Sequence, residues 1–238
     1  MRGKPQFGID APTLVLGFAI GGPLLIVFSF AGFLAPAQPL VWTMRYTGAI
    51  LIAEAFLMTL SSLYGKPALL RRMIASLALR GDEQVLDVGC GRGMLLLEAA
   101  RHLPRGRATG LDLWSTRDQS GNAADATTHN AELAGLRERV QIDTGDMRHM
   151  PYPDASFDAI VSSLAIHNLR TQTDREQAVR EIARVLKPGG RVALLDFRHT
   201  SDYAHTLRSN GLSDARRGAP AFLTFPWTWV VRGHKGDG

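Results

Sequence analysis

Apolar positions along this 238-residue chain follow two patterns, and the change between them falls near residue 65. From Ala11 to Ala35 no side chain is charged, a run of 25 residues, long enough to cross a bilayer core as a helix. After Pro36 and Pro39 a second apolar run extends from Leu40 to Tyr64, interrupted by Arg45 and Glu54. The two runs predict transmembrane helices joined by a short Pro-containing turn. Beyond residue 65 the apolar runs shorten and alternate with amphipathic stretches. Strands are expected at 84–88, 107–111, 140–143, 157–162 and 191–197, each rich in β-branched or aliphatic residues. Helices are expected at Ala68–Leu79 with Pro67 in the first turn, from Met94 onward, at Asn122–Ala134 with Gly135 as the stop, and from an Asp174 cap through Leu186. The tail, Ala221 to Lys235, predicts an antiparallel edge strand after Pro226. Alternating strands and helices imply a doubly wound, mostly parallel α/β sheet. The expected division is a two-helix membrane anchor at 1–65 and an α/β domain at 66–238.

Two other readings of the first segment compete. Arg2 and Lys4 before an apolar run, with Ala35-Pro-Ala37 after it, have the form of a secretory signal and its cleavage site. The run exceeds the usual apolar core of such a signal, and a second run follows at once. A pair of apolar helices capping a soluble domain is the other alternative, opposed by the uninterrupted first run. Gly17 and Gly21 form a G-x-x-x-G pair suited to close helix contact. Basic residues flank both spans, Arg2 and Lys4 before the first and Lys66, Arg71, Arg72 and Arg80 after the second. The positive-inside rule then places both ends in the cytoplasm. Glu54, mid-span, is either functional or a bland residue facing the other helix, protonated or paired toward Arg45.

Charge and cysteine content narrow the chemistry. The formal net charge is +5, but the basic residues are spread out. Their juxtamembrane group suits anionic lipid headgroups better than nucleic acid. The single Cys90 excludes an intramolecular disulfide and is expected to pack rather than react. No Cys/His spacing suggests a metal site.

The densest chemical signal is Val85-Leu-Asp-Val-Gly-Cys-Gly-Arg-Gly93. Gly89, Gly91 and Gly93 let the backbone turn sharply after a buried strand and let a ligand approach, and the following helix presents its N-terminal N–H groups. Asp112, ending the next strand, is placed for ribose hydroxyls. The pattern is that of a nucleoside-containing cofactor site. Met94 replaces the last glycine of a G-x-G-x-x-G, which disfavours a nicotinamide or flavin dinucleotide.

Further segments complete the picture: Thr144-Gly-Asp146-Met147, then Met150-Pro-Tyr-Pro-Asp-Ala-Ser-Phe-Asp158, and Leu186-Lys-Pro-Gly-Gly-Arg-Val-Ala-Leu-Leu-Asp196. With the glycine turn and Gly110-Leu-Asp112, they make residues 67–200 resemble the class I S-adenosylmethionine-dependent methyltransferases, in the branch with ubiquinone and menaquinone C-methyltransferases and many small-molecule methyltransferases. The resemblance implies a Rossmann-like sheet and S-adenosyl-L-methionine as cofactor. Gly89, Gly91 and Gly93 would wrap its methionine and ribose, with Asp87 orienting the amino-acid end. Asp112 would accept the ribose hydroxyls, unless it serves only as a helix cap. Asp146 would bind the adenine amino group, or form an Asx turn, with Met147 on the ring. Ser162 and Ser163 would face the sulfonium.

For catalysis, His167 is the candidate base or pocket residue, with Asn168 beside it. Trp114, Arg117, Asp118 and Asn122 lie in a polar link that either encloses cofactor and acceptor or is a solvated loop. The end of strand four lacks the Asn-Pro-Pro-aromatic element of many base-methylating relatives, which again argues against nucleic acid. The resulting expectation is a multi-pass membrane-anchored methyltransferase, its catalytic domain cytoplasmic, its partners membrane lipids and a small or lipophilic acceptor. The alternative is a cofactor-binding membrane sensor or scaffold without turnover.

Overall fold

A computed structural model describes residues 3–31, 37–115 and 122–237. Arg2, Ala35, Pro36, Arg117 and Asp118 lie outside the described residues. The chain divides into two compact units, Gly8–Lys66 on one side and Met1–Phe7 with Pro67–Gly238 on the other.

The unit from Gly8 to Lys66 is a pair of apolar helices. α1 spans Pro12–Phe28 and α2 spans Gln38–Leu60. α1 is shorter than the apolar run that predicts it. Ser29 sits at its C-cap, its hydroxyl donating to the Ile26 carbonyl at 2.6 Å. The helices meet at Gly22 and Gly48, where a Cβ on either would stand within 2.7 Å of the other's carbonyl oxygen. The expected contact pair, Gly17 and Gly21, has open space around it, so the close approach belongs to a different glycine on the next position of the turn. Arg45 does not turn toward Glu54. Its Nε donates to Ser29 Oγ at 3.1 Å, and its guanidinium lies over the rings of Phe30 and Trp42. Lys66 pairs with Asp10 at 2.7 Å, closing the open end of the hairpin.

α2 continues through a wide π turn at Ser61–Gly65 into α3, Lys66–Ala75. Pro67 therefore does not begin a separate helix. The π turn loosens the hydrogen-bond ladder where its missing N–H falls. Among the described residues one helix, Gln38–Ala75, is long and apolar enough to cross a membrane, and Pro12–Phe28 is a shorter apolar helix. Large apolar side chains, among them Leu16, Leu24, Val27, Ile50, Phe56 and Leu63, stand exposed along this unit.

The second unit is a seven-stranded sheet in the order β3-β2-β1-β4-β5-β7-β6. β1 (Gln84–Val88), β2 (Arg107–Asp112), β3 (Val140–Thr144), β4 (Phe157–Ser163) and β5 (Leu186–Asp196) run parallel. Helices α4 (Met94–Arg101), α5 (Ala124–Leu133), α6 (Gln172–Val185) and α7 (Thr200–Arg208) complete the unit. Two apolar cores form, one around Leu96, Leu97, Leu103 and Val85, the other around Ile160, Ile182, Val185 and Leu207. The doubly wound expectation holds, with three corrections.

β5 begins five residues before Arg191. Phe157 pairs with Leu186 and Ala159 with Arg191, so the Lys187–Gly190 stretch bulges. α6 is capped by Thr171, whose hydroxyl accepts from the Asp174 N–H at 3.0 Å and donates to the Asp174 carboxylate at 2.7 Å. Asp174 is thus the reciprocal partner within the first turn, three residues past the cap. The tail supplies β7 (Thr228–His234), which is not the edge. It pairs antiparallel with β5 on one side and with β6 (Arg216–Ala221) on the other. Gly218 and Pro220 suit β6 to the edge it occupies, because proline has no N–H to give a further strand.

Candidate functional site

The carboxyl ends of β1, β2, β4 and β5 gather the site residues at the place where strand order reverses about β1 and β4. The glycine turn leaves β1 and is stitched to the end of β2. The N–H groups of Gly89 and Cys90 both donate to the Leu111 carbonyl, at 2.8 and 3.2 Å. Gly89, Gly91 and Gly93 have φ of +73°, +49° and +84°, in the left-handed region that glycine alone enters without strain. A Cβ on Gly89 would stand 2.2 Å from the Ala165 Cβ. The turn is therefore packed directly against the loop that carries His167. Gly110 is needed for a related reason, since its Cβ would meet Cys90 Sγ at 2.7 Å. Cys90 packs, as expected, and burial pushes its thiol pKa well up, away from reactivity.

Asp112 holds the turn and its surroundings together. One carboxylate oxygen accepts from the Gly91 N–H at 2.8 Å, the other from the Trp114 N–H at 2.7 Å and Asn122 Nδ2 at 3.2 Å. An ionised carboxylate offers about four acceptor sites, so capacity remains for a ribose hydroxyl. Asp87 lies at the penultimate position of β1, buried, two residues before Gly89. Trp114 adopts φ of +58°, and its indole N–H donates to Thr144 Oγ1 at 2.7 Å, laying the ring across the ends of β2 and β3. Met147 packs on the second core, its Cε 3.5 Å from the Cβ position of Gly89.

Asp146 is held by a neighbour the sequence did not suggest. Its carboxylate accepts from Arg148 Nε at 3.0 and 3.1 Å, Nη2 at 2.6 Å and the Arg148 N–H at 2.9 Å. Arg148 reaches on to Asp174 at 3.0 Å. The guanidinium holds the Asp146 carboxyl below the usual carboxylate range.

Ser162 is expected to face the sulfonium, and the structure places it inside the sheet. Its side chain is buried and donates to the Val88 carbonyl at 2.7 Å, tying β4 to β1. The next residue, Ser163, keeps a buried hydroxyl with no hydrogen-bond partner among the described residues, and so does the side-chain oxygen of Asn122. Two buried polar atoms without partners, beside a backbone cradle that a Cβ would fill, fit a nucleoside-bearing ligand with several hydroxyl and amino groups.

His167 lies in a short 3-10 turn, Ile166–Asn168, after β4. Its Nδ1 stands 2.8 Å from Asp196 Oδ1, close in distance though not aligned as a hydrogen bond, while the His167 backbone N–H donates to Oδ2 at 3.2 Å. Asp196 ends β5, is 1% exposed, and also accepts from the Phe197 N–H and the Tyr203 hydroxyl. Burial, with the Asp196 charge beside it, raises the Tyr203 pKa, so the phenol stays protonated. The His167 ring packs edge-on to Phe197, their centroids 4.6 Å apart. Asn168 beside it is exposed. Asp196 was missed as a functional residue, although an acidic residue closing a buried strand was itself the available signal.

Two more residues were missed. From α5, Thr127 Oγ1 donates to the Gly91 carbonyl at 2.5 Å, and Asn130 Nδ2 to the Arg92 carbonyl at 2.9 Å. Asn130 also pairs with both backbone groups of Gln6, at 2.8 and 3.0 Å, which ties Gln6 to α5. Among the described residues no cluster of three or more His, Cys, Asp or Glu could hold a metal ion.

Comparison with known proteins agrees with this geometry. Residues 86–194 match the family described as "Methyltransferase domain". The 27-O-demethylrifamycin SV methyltransferase of Amycolatopsis mediterranei is 36% identical over 127 residues, 53% of this chain and 43% of that protein. The demethylmenaquinone methyltransferase of Lactobacillus johnsonii is 30% identical over 127 residues, 53% of this chain and 48% of that one. The chain thus spans under half the length of these curated relatives. The crystal structure of a SAM dependent methyltransferase from Aquifex aeolicus shares the fold, with a TM-score of 0.55 at 19% identity, covering 70% of this chain and 89% of that one. Residues 86–194 are thus similar to a methyltransferase domain, on a fold shared with S-adenosylmethionine-dependent methyltransferases.

Proposed function

We propose that this chain is a membrane-anchored methyltransferase whose catalytic domain lies on the cytoplasmic side and whose acceptor is a small lipophilic molecule. The observation that carries the reading is the joining of one catalytic unit to an apolar helical hairpin whose large side chains face outward along its length. Exposed apolar surface on that scale is costly in water and ordinary in lipid. Lys4, Lys66, Arg71 and Arg72 flank the hairpin and supply the basic side expected in the cytoplasm. A relative named for demethylmenaquinone supports an acceptor of quinone type.

When bound, the cofactor supplies a methyl group already activated on a sulfonium. The residues of this chain align and desolvate. The glycine turn and Asp112 fix the cofactor half, and Ser163 and Asn122 offer polar atoms to it. His167 takes the proton of an acceptor hydroxyl or acidic carbon, with Asp196 and Phe197 positioning its turn and ring.

Methyl transfer from labelled S-adenosylmethionine by detergent-purified protein tests this reading. Membrane lipid extract and cytosolic metabolites are offered separately, with Asp112→Ala as control. The expected result is label in a lipid-phase product, lost in the control. Label in a soluble product alone reduces the hairpin to an anchor. Cofactor binding with no product in either pool points to a scaffold.

A further inference from the structure

Outside residues 8–66, the exposed large hydrophobic side chains among the described residues are Leu113, Phe222, Leu223 and Trp227. Three of the four sit on one tip, the turn that joins β6 to β7. Phe222 is 70% exposed and Trp227 53%, their rings packed edge to face with centroids 5.0 Å apart. Solvent-facing rings that touch each other form a patch rather than scattered surface residues. From Gly218 to Val231 no side chain is charged, an apolar stretch at the end of an otherwise polar unit.

Register places this tip. β7 runs antiparallel to β5, with Trp229 opposite Asp196. The turn before Trp229 therefore projects past the carboxyl end of β5, the end that carries Asp196 and, across β4, His167. Two guanidinium groups flank it, each over a ring. Arg217 lies 5.0 Å from the centroid of Trp229, and Arg198 5.2 Å from that of Phe197. Both arginines are exposed.

We infer that the Phe222–Trp227 tip is a bilayer-contact element of the catalytic unit, its apolar rings entering the interfacial region of an anionic membrane while Arg198 and Arg217 meet the headgroups. Aromatic rings backed by arginine are the composition of a membrane interface, where an apolar body and a polar edge are both satisfied. The cations select an anionic surface, each adding attraction that falls off within a Debye length. A protein partner would call for a shaped, partly polar rim; along the chain the apolar stretch is bounded by Arg217 and Arg232. Contact at this end of the sheet would open the acceptor side of the site toward the lipid that holds the acceptor. The inference rests on the membrane reading above, and the experiment separates the two.

The full chain is placed in nanodiscs of phosphatidylcholine and phosphatidylglycerol. A nitroxide is attached at Phe222→Cys, at Trp227→Cys, at Phe56→Cys on α2 and at Glu138→Cys, an exposed site near the amino end of β3. Buried Cys90 stays in place, with unsubstituted protein as the labelling blank. Accessibility to dissolved oxygen and to a water-soluble nickel chelate is read by EPR. Labels at 222 and 227 are expected to resemble position 56, with nickel accessibility several-fold below position 138 and oxygen accessibility high. Replacing Arg198 and Arg217 together by glutamine is expected to return the tip labels toward the aqueous value. Tip labels as open to nickel as position 138, with 56 in lipid, overturn the inference and leave the anchor standing. Tip labels shielded from both reagents report a protein contact and also overturn it. An aqueous position 56 overturns the anchor itself.

Discussion

The cofactor half and the acceptor half of the site stand at the carboxyl ends of the same sheet, yet they are built by different means. The cofactor half is backbone. Three glycines with positive φ, carbonyls of Leu111, Gly91 and Arg92, and N–H groups bonded to Asp112 define it. The half to which the proposed function assigns the acceptor is side chain, with His167 against Asp196 and Phe197. Backbone cradles fit one ligand and resist change. Side-chain surfaces can be re-cut for new acceptors while the methyl donor stays the same.

Separating the two halves by kinetics gives the largest expected effect. His167→Ala should lower kcat by about 100-fold or more where the acceptor is protonated. Cofactor affinity, read by calorimetry on the same protein, should stay unchanged, because no observed contact joins the imidazole to the glycine turn. A fall in both together would show that the halves are one unit.

Gly89→Ala attacks the boundary from the other side. The left-handed φ costs an alanine about 1–2 kcal/mol, and its Cβ would overlap Ala165 at 2.2 Å. Cofactor affinity should fall by more than about tenfold. His167's loop should shift as well, since Ala165 leads into it. Thr127→Val is the milder version. Losing the bond to the Gly91 carbonyl costs about 1 kcal/mol, and cofactor binding should weaken several-fold with kcat unaltered. Equal affinity for Thr127→Val and the parent would mean the turn holds itself without α5.

The same contrast explains what the sequence made legible. The glycine turn and the acid closing β2 are local in sequence, and each glycine is required by its own φ. The five parallel strands are apolar runs bounded by turns, so their order of appearance could be read directly. Thr127 and Asn130 could not, because polar residues on a helix read as a solvated face until the fold brings the turn against them. Ser162 and Ser163 differ only in which side of β4 they face, and a one-residue choice of face decides which hydroxyl is spent on Val88. The Gly22–Gly48 contact pairs residues on different helices, which no spacing within one helix reports. The β7 insertion between β5 and β6 is a question of partner choice, and a strand's composition does not name its partner.

The smallest expected effect lies at Asp146, assigned by resemblance to the adenine amino group and found in the grip of Arg148. Arg148→Met removes the guanidinium from both Asp146 and Asp174. Arg148 is about a third exposed and solvent screens the pair, so the stability lost at neutral pH should be about 1 kcal/mol or less. Its pH dependence has a definite sign. The Asp146 carboxyl titrates below its ordinary range in the folded state, so above that range the unfolded chain gains no proton and the stabilisation is complete. As pH falls, the unfolded chain protonates first, and the contribution disappears as pH passes through the folded-state value. Thermal melts of parent and variant should therefore differ at pH 7 and converge in acid. Cofactor affinity measured on the same two proteins assigns the carboxylate. A shift on removing Arg148 places Asp146 against the cofactor. An unchanged affinity with the melting difference intact makes the pair a strut between the end of β3 and α6, and returns the adenine pocket to Trp114, Met147 and the backbone.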